Sequence, residues 1–122
     1  ITYFLKKYSY DTFKINRLII SAFCRVNKIV VKENLLLKKL TATNNYMTNI
    51  DVTQNTLLNN INVSSNQLTS LNVDQNILLK DLDAGNNLLP FINLSQNVLL
   101  ENLDLNNNVI PTSIKTIAVE FS

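Results

Sequence analysis

The chain has 122 residues, one Cys, no His and a formal net charge of +2 at neutral pH. This length fits a single domain, and so small a mixed charge gives no strong electrostatic basis for binding nucleic acid or an anionic membrane. The lack of His excludes Ser–His and Cys–His nucleophilic catalysis and imidazole metal ligands within this sequence. We therefore expect no enzyme activity and no cofactor, and no membrane insertion, because no stretch approaches the roughly 20 apolar residues of a membrane-spanning helix.

Residues 1–28 are predicted to form a degenerate first coil and an N-terminal cap. Terminal units of stacked repeats are usually atypical. Cys24 is interpreted as a buried structural thiol rather than a reactive one. The chain begins at Ile1 rather than Met, so we expect it to be part of a longer polypeptide in which any export is encoded elsewhere. The spacing of the later repeat, extended backwards, falls on Leu5, Tyr8, Tyr10 and Phe13, then on Asn16, Ile19, Ser21 and Cys24, of which Ile19 fits a buried position best.

Residues 29–110 contain a regular repeat of 21 residues. A fixed period near 20 residues is typical of stacked coils that bury one face only against their neighbours. Each period divides into a front half-turn, such as Leu58 to Asn66, and a back half-turn with the same pattern, such as Leu68 to Asn76. Both alternate inward and outward side chains, so the sequence predicts an all-β solenoid of about five coils with parallel strands on two faces. The apolar positions that define the repeat, each followed five residues later by Asn, are Leu40, Ile50, Ile61, Leu71, Leu82, Ile92 and Leu103.

The recurring Asn is interpreted as a structural residue at the end of each half-turn, where the backbone turns and loses its strand partners. A carboxamide has two donors and an acceptor, so stacked Asn side chains can satisfy backbone groups within and between coils. Asn also tolerates left-handed backbone conformations, which helps to explain tight turns in a chain with 21 Asn and a single Gly. The sequence thus predicts an asparagine ladder along the solenoid.

Residues 111–122 follow a change in the repeat. The register slips by one residue after Asn108, and Ile117, Val119 and Phe121 then alternate with other residues. This segment is predicted to form a capping strand or the start of a further repeat.

The pattern Leu-x-x-Leu-x-x-x-x-Asn over residues 29–110 resembles leucine-rich repeats. Its two alternating halves, one from Asn66 to Val73 and one from Gln75 to Leu79, are similar to the short repeat of internalin-like surface proteins of the internalin J type. The resemblance implies a curved solenoid used for adhesion or protein recognition on a bacterial surface, in a longer exported chain at the cell surface or outside the cell. The inward position that is often Cys in internalin J-type repeats is here Ala42, Val63, Ala84 and Leu105.

A candidate partner-binding face follows from strand alternation in the front half-turns. If Leu40 and its equivalents point inward, their neighbours face solvent in aligned polar rows. Such a face can recognise a protein or a carbohydrate through directional hydrogen bonds, although it lacks the aromatic and Arg anchors common at interfaces. The alternative is a plainly solvated face on a passive spacer or scaffold segment. The predicted face comprises Thr41, Thr43, Asn60, Asn62, Ser64, Asp81, Asp83, Asn102, Asp104 and Asn106.

Three acidic residues of this face could suggest a weak calcium site. Asp83 and Asp104 should stack on adjacent strands with Asp81 two residues away, so their charges repel unless a cation or neighbouring amides intervene. Calcium prefers six to eight oxygens, and a flat sheet supplies few, so no metal site is predicted. Ice binding is not predicted either, because the back face lacks a uniform row of Thr.

Overall fold

The computed structural model describes residues 2–4, 16–19 and 25–109. In these residues the regular secondary structure consists of short strands, without a helix. Five of the strands form one parallel sheet in the order β2-β4-β5-β6-β7, in which each neighbour belongs to the next coil. The predicted all-β solenoid is therefore confirmed. The strands are β1 (Thr2–Phe4), β2 (Arg17–Ile19), β3 (Lys28–Val30), β4 (Lys39–Thr41), β5 (Asn60–Asn62), β6 (Asp81–Asp83) and β7 (Asn102–Asp104).

The core is a stack of aliphatic side chains, one row for each inward position of the coil. In β5, Ile61 is buried between the half-buried Asn60 and Asn62. Leu40 and Leu82 pair with Ile61 on either side, so the three side chains stack in register. Burial of apolar surface stabilises by about 25 cal/mol per Å², and in a solenoid only the neighbouring coils provide that burial.

The back half-turns consist mainly of β-turns. Among the described residues, β3 pairs with β1, and Val30 also forms an isolated bridge with Asp51. In the later coils two consecutive turns share one Asn: Asn55 N donates to Val52 O and Leu58 N donates to Asn55 O, both at 3.1 Å. The prediction of strands on both faces is thus confirmed for the front and wrong for the back of these coils, because the turns direct these backbone donors to their own coil.

Asn side chains at the end of the front half-turns connect successive coils. Asn66 Oδ1 accepts a hydrogen bond from Met47 N of the preceding coil at 3.1 Å. Asn66 Nδ2 donates to Ala42 O of the preceding coil at 2.9 Å and to Val63 O of its own coil at 3.0 Å. Asn45, Asn87 and Asn108 accept in the same way from Val26, Leu68 and Leu89. The predicted asparagine ladder is present at the front edge.

Asn side chains of the back half-turns form a second ladder that uses only their donors. Asn76 Nδ2 donates to Val52 O at 3.1 Å and to Asn55 O at 2.9 Å. Its Oδ1 is buried and accepts no hydrogen bond from the described residues, and the same holds for Asn55 and Asn97. The two ladders look alike in sequence, but the front one satisfies backbone groups of both kinds and the back one satisfies only carbonyls.

Left-handed backbone occurs immediately before the front ladder, rather than at the ladder residues. The φ angles there are 56° at Asn44, 58° at Ser65, 54° at Asn86 and 56° at Asn107. An L residue with a Cβ pays a steric penalty in this region that Asn tolerates better than most. The chain therefore turns at this corner without glycine. The residue with left-handed backbone is the one before each ladder Asn, whereas the repeat pattern predicts the ladder Asn itself.

The first coil departs from the predicted register. Leu18, and not Ile19, pairs with Leu40, and Tyr3, and not Tyr8, pairs with Ile29. A slip of one residue in a strand turns every side chain to the opposite face. Leu18 lies 22 residues before Leu40, one more than the repeat of 21, so it takes the register position that the repeat pattern gives to Ile19. The predictions for Cys24 and for the C-terminal strand at 111–122 lie outside the described residues.

Candidate recognition surface

The front sheet aligns its outward side chains in straight rows. The first row runs from Lys39 through Asn60 and Asp81 to Asn102, according to the strand register. The second row contains Thr41, Asn62, Asp83 and Asp104. Thr43, Ser64, Gly85 and Asn106 follow two residues after the second row, and backbone hydrogen bonds between the coils continue past them. Thr41, Asn62 and Asp83 of the second row are half-buried. The β7 residues of the two rows, Asn102 and Asp104, are exposed. The structure thus brings the predicted residues together as aligned rows.

Asp81 lies between two amides of the first row. Asn102 Nδ2 donates to Asp81 Oδ1 at 2.6 Å, and Asn60 Nδ2 donates to Asp81 Oδ2 at 3.5 Å. The carboxylate of Asp81 therefore accepts hydrogen bonds from amides of both adjacent coils, whereas Asp83 and Asp104 are paired with each other.

The second row is anchored to its own backbone. Asn62 Oδ1 accepts from Ser64 N at 3.1 Å and from Ser64 Oγ at 2.8 Å. Asp83 Oδ1 accepts from Gly85 N at 3.0 Å. Asp104 Oδ1 accepts likewise from Asn106 N at 2.8 Å. These are local side-chain contacts to the backbone two residues ahead, a habit of Asn and Asp in turns, and they fix the side chains before any ligand arrives.

Gly85 has no side chain, which leaves room for the carboxylates of Asp83 and Asp104. A Cβ at Gly85 would lie 3.3 Å from both Asp83 Oδ1 and Asp104 Oδ1, and 3.4 Å from Asn106 O. The two carboxylates therefore approach the same point of the surface from adjacent coils. Among the described residues, however, no group of three or more His, Cys, Asp or Glu side chains could hold a metal ion. Asp81 takes part instead in amide contacts with Asn60 and Asn102.

The rows border a shallow depression of about 280 Å³. Its sides are provided by β5, β6 and β7 together. Because it is open and lined mainly by amides and carboxylates, it can bind a ligand through many short hydrogen bonds but cannot enclose one. The lining residues are Asn60, Ile61, Asn62, Asp81, Leu82, Asp83, Asn102, Leu103 and Asp104.

The back face uses the same local anchor. Asp51 Oδ1 accepts from Thr53 Oγ1 at 2.6 Å and from Thr53 N at 2.9 Å. These two bonds, with a smaller contribution from the charge of Lys32, lower the pKa of Asp51 below its ordinary value of 3.8. Asn72 and Asn93 accept from the backbone of Asp74 and Ser95 in the equivalent positions. The repeated anchor is a property of the coil, so it does not by itself distinguish the front face as a binding site.

Comparison with solved structures gives a clear relative. The chain is similar to the functional domain of InlJ from Listeria monocytogenes, with 32% sequence identity and a TM-score of 0.77 over 84% of this chain. The chain is an internalin-like leucine-rich-repeat solenoid. It spans only 23% of the InlJ chain, about a quarter of its length. No protein-family model and no curated protein sequence matches the chain.

The internalin-like solenoid differs from InlJ in one structural device. The InlJ domain is described as including a cysteine ladder, whereas this chain has a single Cys and cannot form one. Its inward positions after the front aliphatic are Ala42, Val63, Ala84 and Leu105, all buried. Here the coils are joined by Asn side chains at the front and back turns.

Proposed function

We propose that this chain is a non-catalytic recognition module whose front sheet binds a protein or a carbohydrate, as part of an exported bacterial surface protein. The observation that carries the proposal is the depression between β5 and β7, where two aligned polar rows from three coils border one open surface. The similarity to the InlJ domain supports an adhesion or protein-interaction module of this kind.

The geometry suits recognition because the polar groups are fixed in advance. Asn62, Asp83 and Asp104 are each bound to the backbone two residues ahead. A ligand that meets side chains already held in one conformation avoids part of the entropy cost of ordering them. The exposed carboxylate oxygens and amides then present donors and acceptors at the coil spacing of about 4.8 Å, which favours an extended ligand that crosses several coils.

The proposal also includes a location at the cell surface or outside the cell. Its support is the similarity to a Listeria internalin. Within the part of the chain that the structure describes, no helix has the length and apolar character needed to cross a bilayer.

A capture experiment with a matched pair of variants tests this proposal. The front variant is Asn60→Arg with Asn102→Arg, which covers the depression with two long side chains and still offers donors to Asp81. Neither Asn60 nor Asn102 has a side-chain contact with the backbone among the described hydrogen bonds, so the ladder is left intact. The control is Asn49→Arg with Ser70→Arg, two exposed positions on adjacent coils of the back half-turns. Both variants are compared with the original chain for capture of proteins and glycans from cell-surface extracts and a glycan array.

We expect one ligand to be captured by the original chain and by the control, and to be lost with the front variant. The rival proposal, a passive spacer in a larger exported protein, predicts no ligand or equal capture by all three chains. Turnover of a captured glycan by this chain alone would contradict the non-catalytic assignment.

A further inference from the structure

Aliphatic side chains form an exposed ridge along the corner where each back half-turn leads into the next front strand. The corner is the β-turn closed by Leu79 N donating to Asn76 O at 3.1 Å and by its equivalents in the other coils. The two central residues of each turn point outward, and exposed fractions reach 56% at Leu35 and 77% at Val98. The outer ridge is defined by Leu35 and Leu36, Ile77 and Leu78, and Val98 and Leu99, with Thr56 and Leu57 in the remaining coil.

The composition of this corner is opposite to that of the turn beside it. Central positions of β-turns favour Gly, Pro, Asn, Asp and Ser. The preceding turn of each coil has only polar or charged residues at its central positions, such as Lys32 and Glu33 in one coil and Asp74 and Gln75 in another. The two turns have the same hydrogen bonding and belong to one continuous backbone, so turn chemistry does not account for aliphatic residues at seven of the eight positions of the outer ridge.

The ridge is large enough to matter for association. Its six most exposed aliphatic side chains are each between 40% and 77% accessible. Together they expose on the order of 500 Å² of apolar surface to water. The largest apolar patch of a typical monomer covers about 300–600 Å², so the ridge lies in the upper part of that range. Two ridges in contact would bury about twice that area, and the polar residues on both flanks bring the total towards the roughly 1,200 Å² at which stable interfaces begin.

We propose that the outer ridge binds a second copy of this chain, with the two ridges antiparallel across a two-fold axis. Identical ridges have the same spacing from coil to coil, so the side chains of one fit between those of the other along the whole contact. A two-fold axis perpendicular to the ridges also places the same flank of both copies together, with the coil order reversed.

The charges on that flank are complementary in the antiparallel arrangement. The flank is the column Lys38, Asn59, Lys80 and Glu101, whose backbones are hydrogen bonded from one coil to the next. Reversing the order brings Lys38 of one copy to Glu101 of the second copy, twice by symmetry, and brings Asn59 to Lys80. No like charges meet, and complementary charges at the edge of an interface set its orientation. The outer ridge contains none of the residues that line the front depression.

Sedimentation velocity of the original chain from about 1 to 500 µM tests the dimer, because interfaces at the lower end of the size range dissociate at such concentrations. The ridge variant is Ile77→Ser with Leu78→Ser. Its control is Leu88→Ser, an aliphatic residue that is 49% exposed and lies outside the ridge. We expect the ridge variant to dimerise about tenfold or more weakly and the control to behave as the original. A monomer at all concentrations, or a ridge variant that dimerises as the original does, overturns the proposal. Melting temperatures and circular dichroism verify that each variant remains folded.

Charge reversal tests the orientation. Lys38→Glu and Glu101→Lys should each weaken the dimer by about two- to fivefold, and the double variant should restore it, because each copy then supplies both reversed charges. Restoration supports the antiparallel arrangement. Additive weakening in the double variant overturns it.

Discussion

Replacement of the front-ladder residue Asn87 by Leu should destabilise the solenoid by about 1 to 3 kcal/mol. The cost arises from the backbone N–H of Leu68. Leu68 N donates to Asn87 Oδ1 at 3.0 Å, and with Leu at position 87 this buried N–H has no acceptor. The carbonyls that Asn87 serves are less affected, since Val63 O keeps Asn66 Nδ2 and Ala84 O keeps Asn108 Nδ2 as donors.

The back-ladder residue Asn76 provides the comparison. Asn76→Leu removes donors from Val52 O and Asn55 O, but both oxygens still accept backbone bonds within their turns. It also removes a buried Oδ1 that accepts no hydrogen bond from the residues that the structure describes. The expected cost is therefore below about 1 kcal/mol, although the two positions have the same residue and nearly the same burial.

Urea unfolding of the two variants and of the original chain measures the difference directly. A third variant, Asn49→Leu at an exposed back position, reports the effect of the same change without a ladder. Hydrogen exchange at the amide of residue 68 should accelerate in Asn87→Leu alone. Equal destabilisation by Asn87→Leu and Asn76→Leu would refute the assignment of the cost to the backbone donor of Leu68.

Three further perturbations follow from single contacts. Thr53→Val should raise the pKa of Asp51 towards 3.8 in an NMR titration. Because the folded-state pKa is depressed, the stability from this carboxylate is present above the unfolded-state pKa and is lost as the pH falls through the folded-state pKa. The variant should therefore lose less stability at acid pH than the original chain. Gly85→Ala should cost about 1 kcal/mol in urea unfolding, since its Cβ would press on two carboxylate oxygens at 3.3 Å; a stabilised variant would contradict this crowding. Ser65→Asn should raise the unfolding free energy by about 0.5 to 1 kcal/mol, since Ser65 has a φ of 58° and Asn tolerates this region better; a lower melting temperature would show that the corner needs the smaller side chain.

The 21-residue period predicted the front of the fold well because its physical basis is direct. Leu40, Ile61 and Leu82 can be buried only by stacking on one another, and the strand register shows them paired. The same alternation of apolar and polar residues did not predict the back, where Val52 starts a pair of turns and not a paired strand. A period-two pattern specifies which side chains point inward, but it does not specify whether the backbone donors reach the next coil or fold back on their own.

The sequence predicts which residues of the candidate face lie in the same row, but not the hydrogen bonds that their side chains form. Alternation places Asp83 and Asp104 side by side, and the structure pairs them. Their anchorage to the backbone two residues ahead was missed, although the recurring Asn or Asp two residues before a small or polar residue, as in Asn62 and Ser64, signals it. The outer ridge was missed because the 21-residue pattern defines only the inward positions and says nothing of the aliphatic residues between them. The repeated order of Asn followed by aliphatic residues, as at Asn76 and Ile77, would have indicated it.

The most direct test of the proposed recognition function is a map of backbone amide shifts when a captured ligand is added to the isotope-labelled chain. The account predicts that the largest ¹H–¹⁵N shifts fall in residues 60–64, 81–85 and 102–106 of the front sheet, with the outer ridge and the back half-turns unchanged. Shifts centred on the back half-turns or on the ridge, with the front strands unchanged, would contradict it.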